Sequence, residues 1–445
     1  MKESLQKYRS GISVAILLMA LMLVQCHQPA GQTVITKWQY GHNGSVSVTY
    51  DDGSINQFMK AVPIMNRLNM PGTFFINTGS IPGSEYQGRF IGRPVKDIIR
   101  EASKTPANKD NFFERASAAR YLGYRGCGDY FTRAGAQMDA NRPEEAYKII
   151  DELYAKVNSG ELKPVSGAGR GEARSDVLTW DMIKEYAAQG HEFASHMVTH
   201  PYMAALDEAN MLYELEKSRD EILNRLGPKY IFSAECPYGT ENERAMEYAH
   251  KVYPALRNRM PEDFLLELNR PSRKSPVSNN IEYVQWQRGA TTKTPLPMMK
   301  AWVDTTASEN NIWLVLVIHG IDGIGWEALE SESVDEYFQY IKSKEDKLWV
   351  ATFGDAAKYM RERMNANVTI SESRDRIVVN LTHTLDKTVY DLPLTLKTVV
   401  SPKWKEVIVK QGNEVKRIPT QQNGEETYVL YQAVPGAGNI EITSV

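Results

Sequence analysis

Cysteine is scarce in this chain: there are three in 445 residues, and one of them, Cys26, closes an N-terminal apolar run. The other two, Cys127 and Cys236, are too few for a disulfide framework or a cysteine-built zinc site, and read as two small, semi-buried thiols. Charge of one sign is equally lacking. A formal net charge of -3 leaves no electrostatic case for nucleic acid, which calls for a concentrated basic face. A neutral or weakly charged partner such as a glycan is compatible with it. Histidine numbers eight, so a closely spaced pair carries information. What is present is ordinary for a soluble globular protein, with 42% hydrophobic and 24% charged residues. The length exceeds what one core usually needs, so a large domain plus a smaller one is expected.

The first 26 residues stand apart from the fold. Lys2, Lys7 and Arg9 make a basic start before the apolar run Ile12 to Val24, which is too short for a comfortable transmembrane helix and has the layout of an export signal. Leu23-Val24-Gln25-Cys26 resembles a bacterial lipoprotein signal, although Gln25 departs from the small residue usual before the cysteine. The expectation is an exported protein, either secreted or held in a bacterial cell envelope (periplasm or outer-membrane lipoprotein). Its membrane contact would be limited to a lipid at Cys26.

Ser45 to Tyr50 is a β-branched strand ending in Asp51-Asp52-Gly53. Apolar residues at helical spacing follow over 55–68, and Pro71-Gly72 precedes a second strand at 73–77. Strand, helix, strand in this span is a βαβ unit and predicts a parallel sheet. From Gly79 to Arg174 the pattern degrades into an insertion with helical fragments near 111–121 and 143–157. Alternation resumes with helix 180–189, strand 191–195, helix 206–226 and strand 230–234. Helix 297–303, strand 312–318, a helix opened by the capping box Ser333-Val-Asp-Glu336, strand 348–352 and helix 355–364 complete the series. The predicted class is α/β, a distorted barrel or doubly wound sheet over 27–364 with the insertion at 79–174. Short strand-like runs over 365–445 predict a small all-β, sandwich-like domain that packs, spaces or binds glycan.

Three segments carry chemistry. Asp51-Asp52 closes a strand, so one carboxylate is free to ligate a metal while its neighbour meets a water; Asp-Asp-Gly is also an ordinary turn. His196-Met-Val-Thr-His200 places two imidazoles on one side if the segment is a helical turn, a spacing suited to one metal ion, though a surface pair is the bland alternative. Leu316-Val-Ile-His319 ends an apolar strand at the edge where active-site groups of parallel folds collect, and a structural histidine is common there too.

In this order, each at a strand end, the segments resemble the polysaccharide deacetylase family, the NodB-homology domain or carbohydrate esterase family four, over roughly residues 44–364. The resemblance implies a distorted β/α barrel and a divalent metal, usually zinc, on Asp52, His196 and His200. It implies Asp51 as general base, His319 as general acid and Leu316 at the acetyl-methyl pocket. The family's Arg-x-Pro-Tyr segment appears as Glu235-Cys236-Pro237-Tyr238-Gly239, making the Tyr238 N–H the oxyanion donor beside Pro237. Its arginine, which positions the base, is replaced by Glu235; Arg170, Arg174 and Arg257 are the substitutes on offer. The family's Asp–Trp pair that orients the acid has only loose counterparts in Asp263 and Trp286. Trp326, in the glycine-rich stretch after His319, is placed either to stack on a sugar or to pack. The implied function is removal of N- or O-linked acetyl groups from an acetylated polysaccharide or oligosaccharide. The alternatives are a small-molecule C–N hydrolase of the same fold and a catalytically silent, metal-containing glycan binder.

Overall fold

The structure is a computed structural model describing residues 32–165, 177–262, 264 and 282–445. The export signal and Cys26, Arg170, Arg174 and Asp263 lie outside the described residues. Two compact units emerge, one of residues 37–365 with 385–392, the other of 366–384 and 393–445 joined by the segment up to Thr36. Among the described residues no helix is long and apolar enough to cross a membrane.

The larger unit is built on one parallel sheet. Its strands run in the order Ala255–Leu256, Ser233–Ala234, Glu192–Ser195, Thr73–Ile76, Gly44–Asp51, Ile312–Ile318, Val284–Gly289, with Leu348–Val350 also pairing Gly44–Asp51. The central strand Gly44–Asp51 is buried throughout, and it shares its length between two neighbours on one edge. Gly44 to Val46 pair with Leu348–Val350, and Thr49 to Asp51 pair with Thr73–Phe75. That fork curls the sheet, and among the described residues no ladder joins its two ends, giving a parallel α/β half-barrel of NodB type. On one face Tyr50 and Phe58 pack on Phe74, with Phe193 stacked alongside. Burying each such ring is worth roughly 1.5–3 kcal/mol.

Helices cover the sheet, and most lie where periodicity places them: Trp180–Ala188, Glu208–Leu226, Leu296–Ser308, Ser331–Lys342 and Phe353–Asn365. The capping box is a correction. The helix begins at Ser331, one turn earlier, because the loop residue Asp322 accepts the Ser331 N–H at 2.7 Å and takes over the cap. The expected strand at 230–234 shrinks to Ser233–Ala234 behind a 3-10 turn at Pro228–Tyr230.

The insertion folds into the helices Val95–Ala102, Phe112–Ala119, Cys127–Asp139 and Pro143–Asn158. It is no loose flap. Phe112, Phe131, Ile150 and Leu153 share one apolar cluster with Met197, Met203, Leu206 and Met211, which flank the His-x-x-x-His segment. Cys127 and Cys236 are buried free thiols.

The smaller unit is all antiparallel β. One sheet has the order Thr33–Ile35, Leu394–Val399, Glu426–Ala433, Gln421–Asn423; the other has Asn367–Ser373, Arg376–Thr382, Ile440–Ser444, Glu406–Gln411, Glu414–Pro419. Alternating burial along Glu426–Ala433 gives that strand a core face and a wetter face.

Candidate active site

Every chemistry-bearing segment lies just beyond a strand's C-terminal end: Asp51-Asp52, His196, Glu235, Arg257 and His319. Asp51 is the last residue of its strand and is buried, whereas Asp52 takes a left-handed turn with φ 73. That turn, rather than strand alternation, separates the two carboxylates, and Gly53 continues it with φ 71. Gln57 ties the site together from below. Its side-chain amide donates to the Asp51 carbonyl at 2.5 Å and the His319 carbonyl at 2.6 Å.

His196 and His200 do not sit on a helix. The segment is a tight turn with left-handed residues at Met197 (φ 68) and His200 (φ 57). The turn is paid for by Glu214 of the helix Glu208–Leu226. Its carboxylate accepts the Val198 and Thr199 N–H groups at 2.8 Å and the Thr199 hydroxyl at 2.5 Å. Burial pushes the Glu214 carboxyl up, partly offset by those donors. From the insertion, Arg120 donates to the Thr199 hydroxyl at 2.9 Å and to its carbonyl at 3.3 Å.

The result is a convergent triad. One ligand atom from each of Asp52, His196 and His200 lies within 4.8 Å of the others. Asp52 Oδ1 is 3.2 Å from His200 Nε2 and 3.7 Å from His196 Nε2. His196 Nδ1 lies 2.8 Å from the Glu235 carbonyl, which can only accept, so the proton sits on Nδ1 and the Nε2 lone pair faces Asp52. Two imidazole nitrogens and one carboxylate fit a divalent cation with positions left open. Burial opposes charge on Asp52, but the neighbouring His200 and His196 hold its carboxyl below the ordinary range.

Asp51 faces a different partner. Arg257 donates to its two oxygens at 2.7 and 2.6 Å, and His319 Nε2 lies 3.4 Å from Oδ2. Burial alone would raise the Asp51 carboxyl, yet Arg257, His196 and His319 outweigh it and hold it well below the usual carboxylate range. Arg257, one of the three arginines the sequence offers, is found here. Trp326, not Trp286, has its ring against His319, with centroids 4.8 Å apart. Trp286 is buried on its strand under Arg288.

A cavity of about 510 Å³ is lined by Asp51, Asp52, His196, His200, Tyr202, Glu235, Tyr238, Gly239, His319 and Trp326. Leu316 and Pro237 are buried and contribute none of its lining. Two exposed aromatics flank the centre. Tyr238 lies edge-on to His200 at 4.7 Å and stacks on Tyr202 at 3.6 Å, while Trp326 is 59% exposed on the His319 side. Asp52 also borders a second cavity of about 260 Å³, lined mainly by aliphatic side chains such as Ile55, Ile76, Ile81 and Leu178.

A family match falls across part of this site. The family described as Polysaccharide deacetylase matches residues 149–253, the stretch holding His196, His200 and Pro237-Tyr238-Gly239. A gellan lyase from Bacillus sp is 28% identical over 274 residues, covering 58% of this chain and 11% of that protein. The chain thus spans about a tenth of that relative's length. Among solved structures, a family 4 carbohydrate esterase from Streptomyces lividans in complex with acetate is 13% identical, covering 70% of this chain and 93% of the other, with a TM-score of 0.32. One from Bacillus anthracis is 12% identical, covering 71% and 83%, with a TM-score of 0.33. Residues 149–253 thus match the polysaccharide deacetylase family, on a parallel α/β half-barrel that is followed by C-terminal antiparallel β sheets.

Proposed function

We propose that this protein is a metal-dependent hydrolase that removes acetyl groups, N- or O-linked, from an extracellular or cell-envelope polysaccharide. The observation that carries the reading is the convergence of Asp52, His196 and His200 within 4.8 Å, in one cavity with Asp51 and His319. Those three residues would hold a divalent ion, with zinc the expected metal for two imidazoles and a carboxylate. When bound, such an ion polarises the acyl carbonyl and makes a water more acidic.

The remaining work falls to the chain's own groups. Asp51 takes the proton of the attacking water, and Arg257 keeps it ionised for that purpose at some cost in basicity. His319 delivers a proton to the departing amine or alkoxide. The Tyr238 N–H is the donor for the tetrahedral oxyanion. Trp326 and Tyr238 offer exposed ring faces for sugar. The export signal read over residues 1–26 is the reason for placing the substrate outside the cytoplasm, with lipid attachment at Cys26 as part of the same proposal. The silent-binder alternative drew on the missing family arginine, and Arg257 weakens it.

The test is to measure bound metal and acetate release from acetylated xylan, chitin oligomers and peptidoglycan, with Asp51→Asn alongside. We expect a stoichiometric divalent metal and acetate from at least one polymer, with turnover lost in Asp51→Asn. Metal without acetate from any substrate would favour a binding role, and release unaffected by Asp51→Asn would remove Asp51 as the base.

A further inference from the structure

We propose that the dipeptide Arg257-Asn258 is the positioning unit of this site: Arg257 fixes the carboxylate of Asp51, and Asn258 fixes the loop that presents the Tyr238 N–H. The catalytic part of this role presupposes the hydrolytic reading of Asp51.

Arg257 follows the edge strand Ala255–Leu256 and is fully buried. Its guanidinium works as a fork rather than a point charge. One Nη donates to Asp51 Oδ1 and to Thr49 Oγ1, each at 2.7 Å, and the other donates to Asp51 Oδ2 at 2.6 Å. Thr49 passes its own proton to the Leu316 carbonyl at 2.6 Å. The fork is therefore keyed both to the strand that ends in Asp51 and to the strand that leads to His319. The Phe75 ring lies 4.7 Å from the guanidinium carbon, and Glu235 Oε1 is 3.2 Å from Nη2.

The pairing of neighbouring strands explains how the arginine comes to stand at 257. Ser233 pairs with Ala255 and Ala234 with Leu256, in parallel register. The next positions out are Glu235 and Arg257. In the resembled family an arginine stands at the first of these. Here a carboxylate occupies that place and the guanidinium comes from the adjacent strand end. The cation comes from the neighbouring strand at the same register level, and Asp51 keeps a two-pronged grip.

Asn258 completes the unit. Its Oδ1 accepts the Cys236 N–H at 2.7 Å, and its Nδ2 donates to the Cys236 and Thr240 carbonyls at 2.9 Å and to Glu235 Oε1 at 3.2 Å. These bonds bracket the turn at Tyr238 (φ 62) and Gly239 (φ 63) from both ends. A left-handed tyrosine persists only where its surroundings hold it, and Asn258 is that support. The Glu235 carbonyl, in the same loop, orients His196.

The experiment uses the zinc-loaded protein and the substrate from which the wild type releases acetate. Arg257→Lys and Arg257→Gln should lower kcat by about 100-fold, the scale of a misplaced catalytic group, with KM and zinc content nearly unchanged. Asn258→Ala should lower kcat as well, again with zinc retained. The exchange variant Glu235→Arg/Arg257→Glu keeps the charges and should recover most of the activity lost in Arg257→Gln. If Arg257→Lys keeps wild-type kcat, or the folded, zinc-loaded exchange variant is no better than Arg257→Gln, the assignment to Arg257 is wrong. Wild-type kcat in Asn258→Ala would remove the second half. Crystal structures provide a readout without turnover. Arg257→Gln should show the Asp51 carboxylate displaced, and the exchange variant should show it gripped from position 235. An unmoved Asp51 in Arg257→Gln overturns the proposal even if no acetylated polymer is a substrate, an outcome that would by itself count only against the deacetylase reading.

Discussion

Glu214 shows how a residue outside the cavity holds the candidate metal site. Its carboxylate occupies both free N–H groups of the turn between His196 and His200, a conformation that includes two left-handed residues. In Glu214→Gln the amide oxygen can keep both backbone N–H groups, which share one carboxylate oxygen, but the N–H₂ then faces the Thr199 hydroxyl, which loses its acceptor and already accepts from Arg120. Zinc affinity is expected to fall about 10- to 100-fold, the usual effect of losing a group that orients metal ligands. Competition with a chelating dye reads this directly, and wild-type affinity would contradict it. At this scale, Asp51, Asp52, His196, His200 and His319 were legible as candidates because the proposed metal and proton chemistry calls for those side chains at strand ends, and the structure brings them to one cavity. Glu214 and Gln57 were not, and Arg257 was legible only as one of three candidate arginines. Each acts through contacts to residues far away in sequence, and a lone Glu, Gln or Arg carries no spacing signal. Even the His-x-x-x-His pair was legible for the wrong local reason, since a strained turn and not a helix brings the imidazoles together.

Among the elements, the insertion helix Cys127–Asp139 backs Tyr202, which lines the site cavity. It meets the catalytic loops through Asp139, which accepts from the Thr240 hydroxyl, and through Gly135, where a Cβ would lie 2.3 Å from Tyr202 Cβ. A glycine inside a helix costs about 1 kcal/mol relative to alanine, so its presence here is explained by that close approach. Gly135→Ala should therefore fail to stabilise. Overpacking of this kind costs about 1–3 kcal/mol, and the strain falls on Tyr202 and on Tyr238 stacked against it. The expected outcome is a lower melting temperature and a KM raised severalfold with zinc content unchanged. A stabilised variant with wild-type KM would show that the helix does not shape the pocket. The insertion was read only in part from sequence, because Val95–Ala102 packs on the distant helix Pro143–Asn158, and Cys127–Asp139 packs on Met203–Ala205 as well as on its neighbours Phe112–Ala119 and Pro143–Asn158. The regular strand–helix alternation around it was plain, since buried parallel strands leave unbroken apolar runs.

For the molecule as a whole, two buried groups outside the site make opposite contributions to stability between pH 4 and 7. Burial pushes the Glu362 carboxyl up to about 7, partly offset by the Leu392 N–H, which donates to it at 3.0 Å. Burial pushes His191 down to about 4, and its ring accepts the Gly72 N–H at 3.1 Å while facing Asn66 Oδ1 at 3.0 Å. For Glu362 the folded state prefers the proton. Its contribution is therefore fully present below the unfolded carboxylate value near 4.5 and is lost as pH rises towards 7. For His191 the folded state prefers the neutral ring, so its contribution is present above 6.5 and is lost as pH falls towards 4. The two slopes oppose each other, and each is worth about 2 kcal/mol across the window after allowance for partial solvent screening. Glu362→Gln keeps an oxygen for the Leu392 N–H and removes the charge. It should match the wild type near pH 4 and exceed its unfolding free energy by about 2 kcal/mol at pH 8. Urea titrations of both proteins at the two pH values give the difference directly, and the remaining groups cancel in the comparison. A constant difference at both pH values would mean that Glu362 titrates alike in the folded and unfolded protein. In that case acid stability would be governed by His191 without a counterweight, and the wild type would lose stability steadily from pH 6.5 downwards.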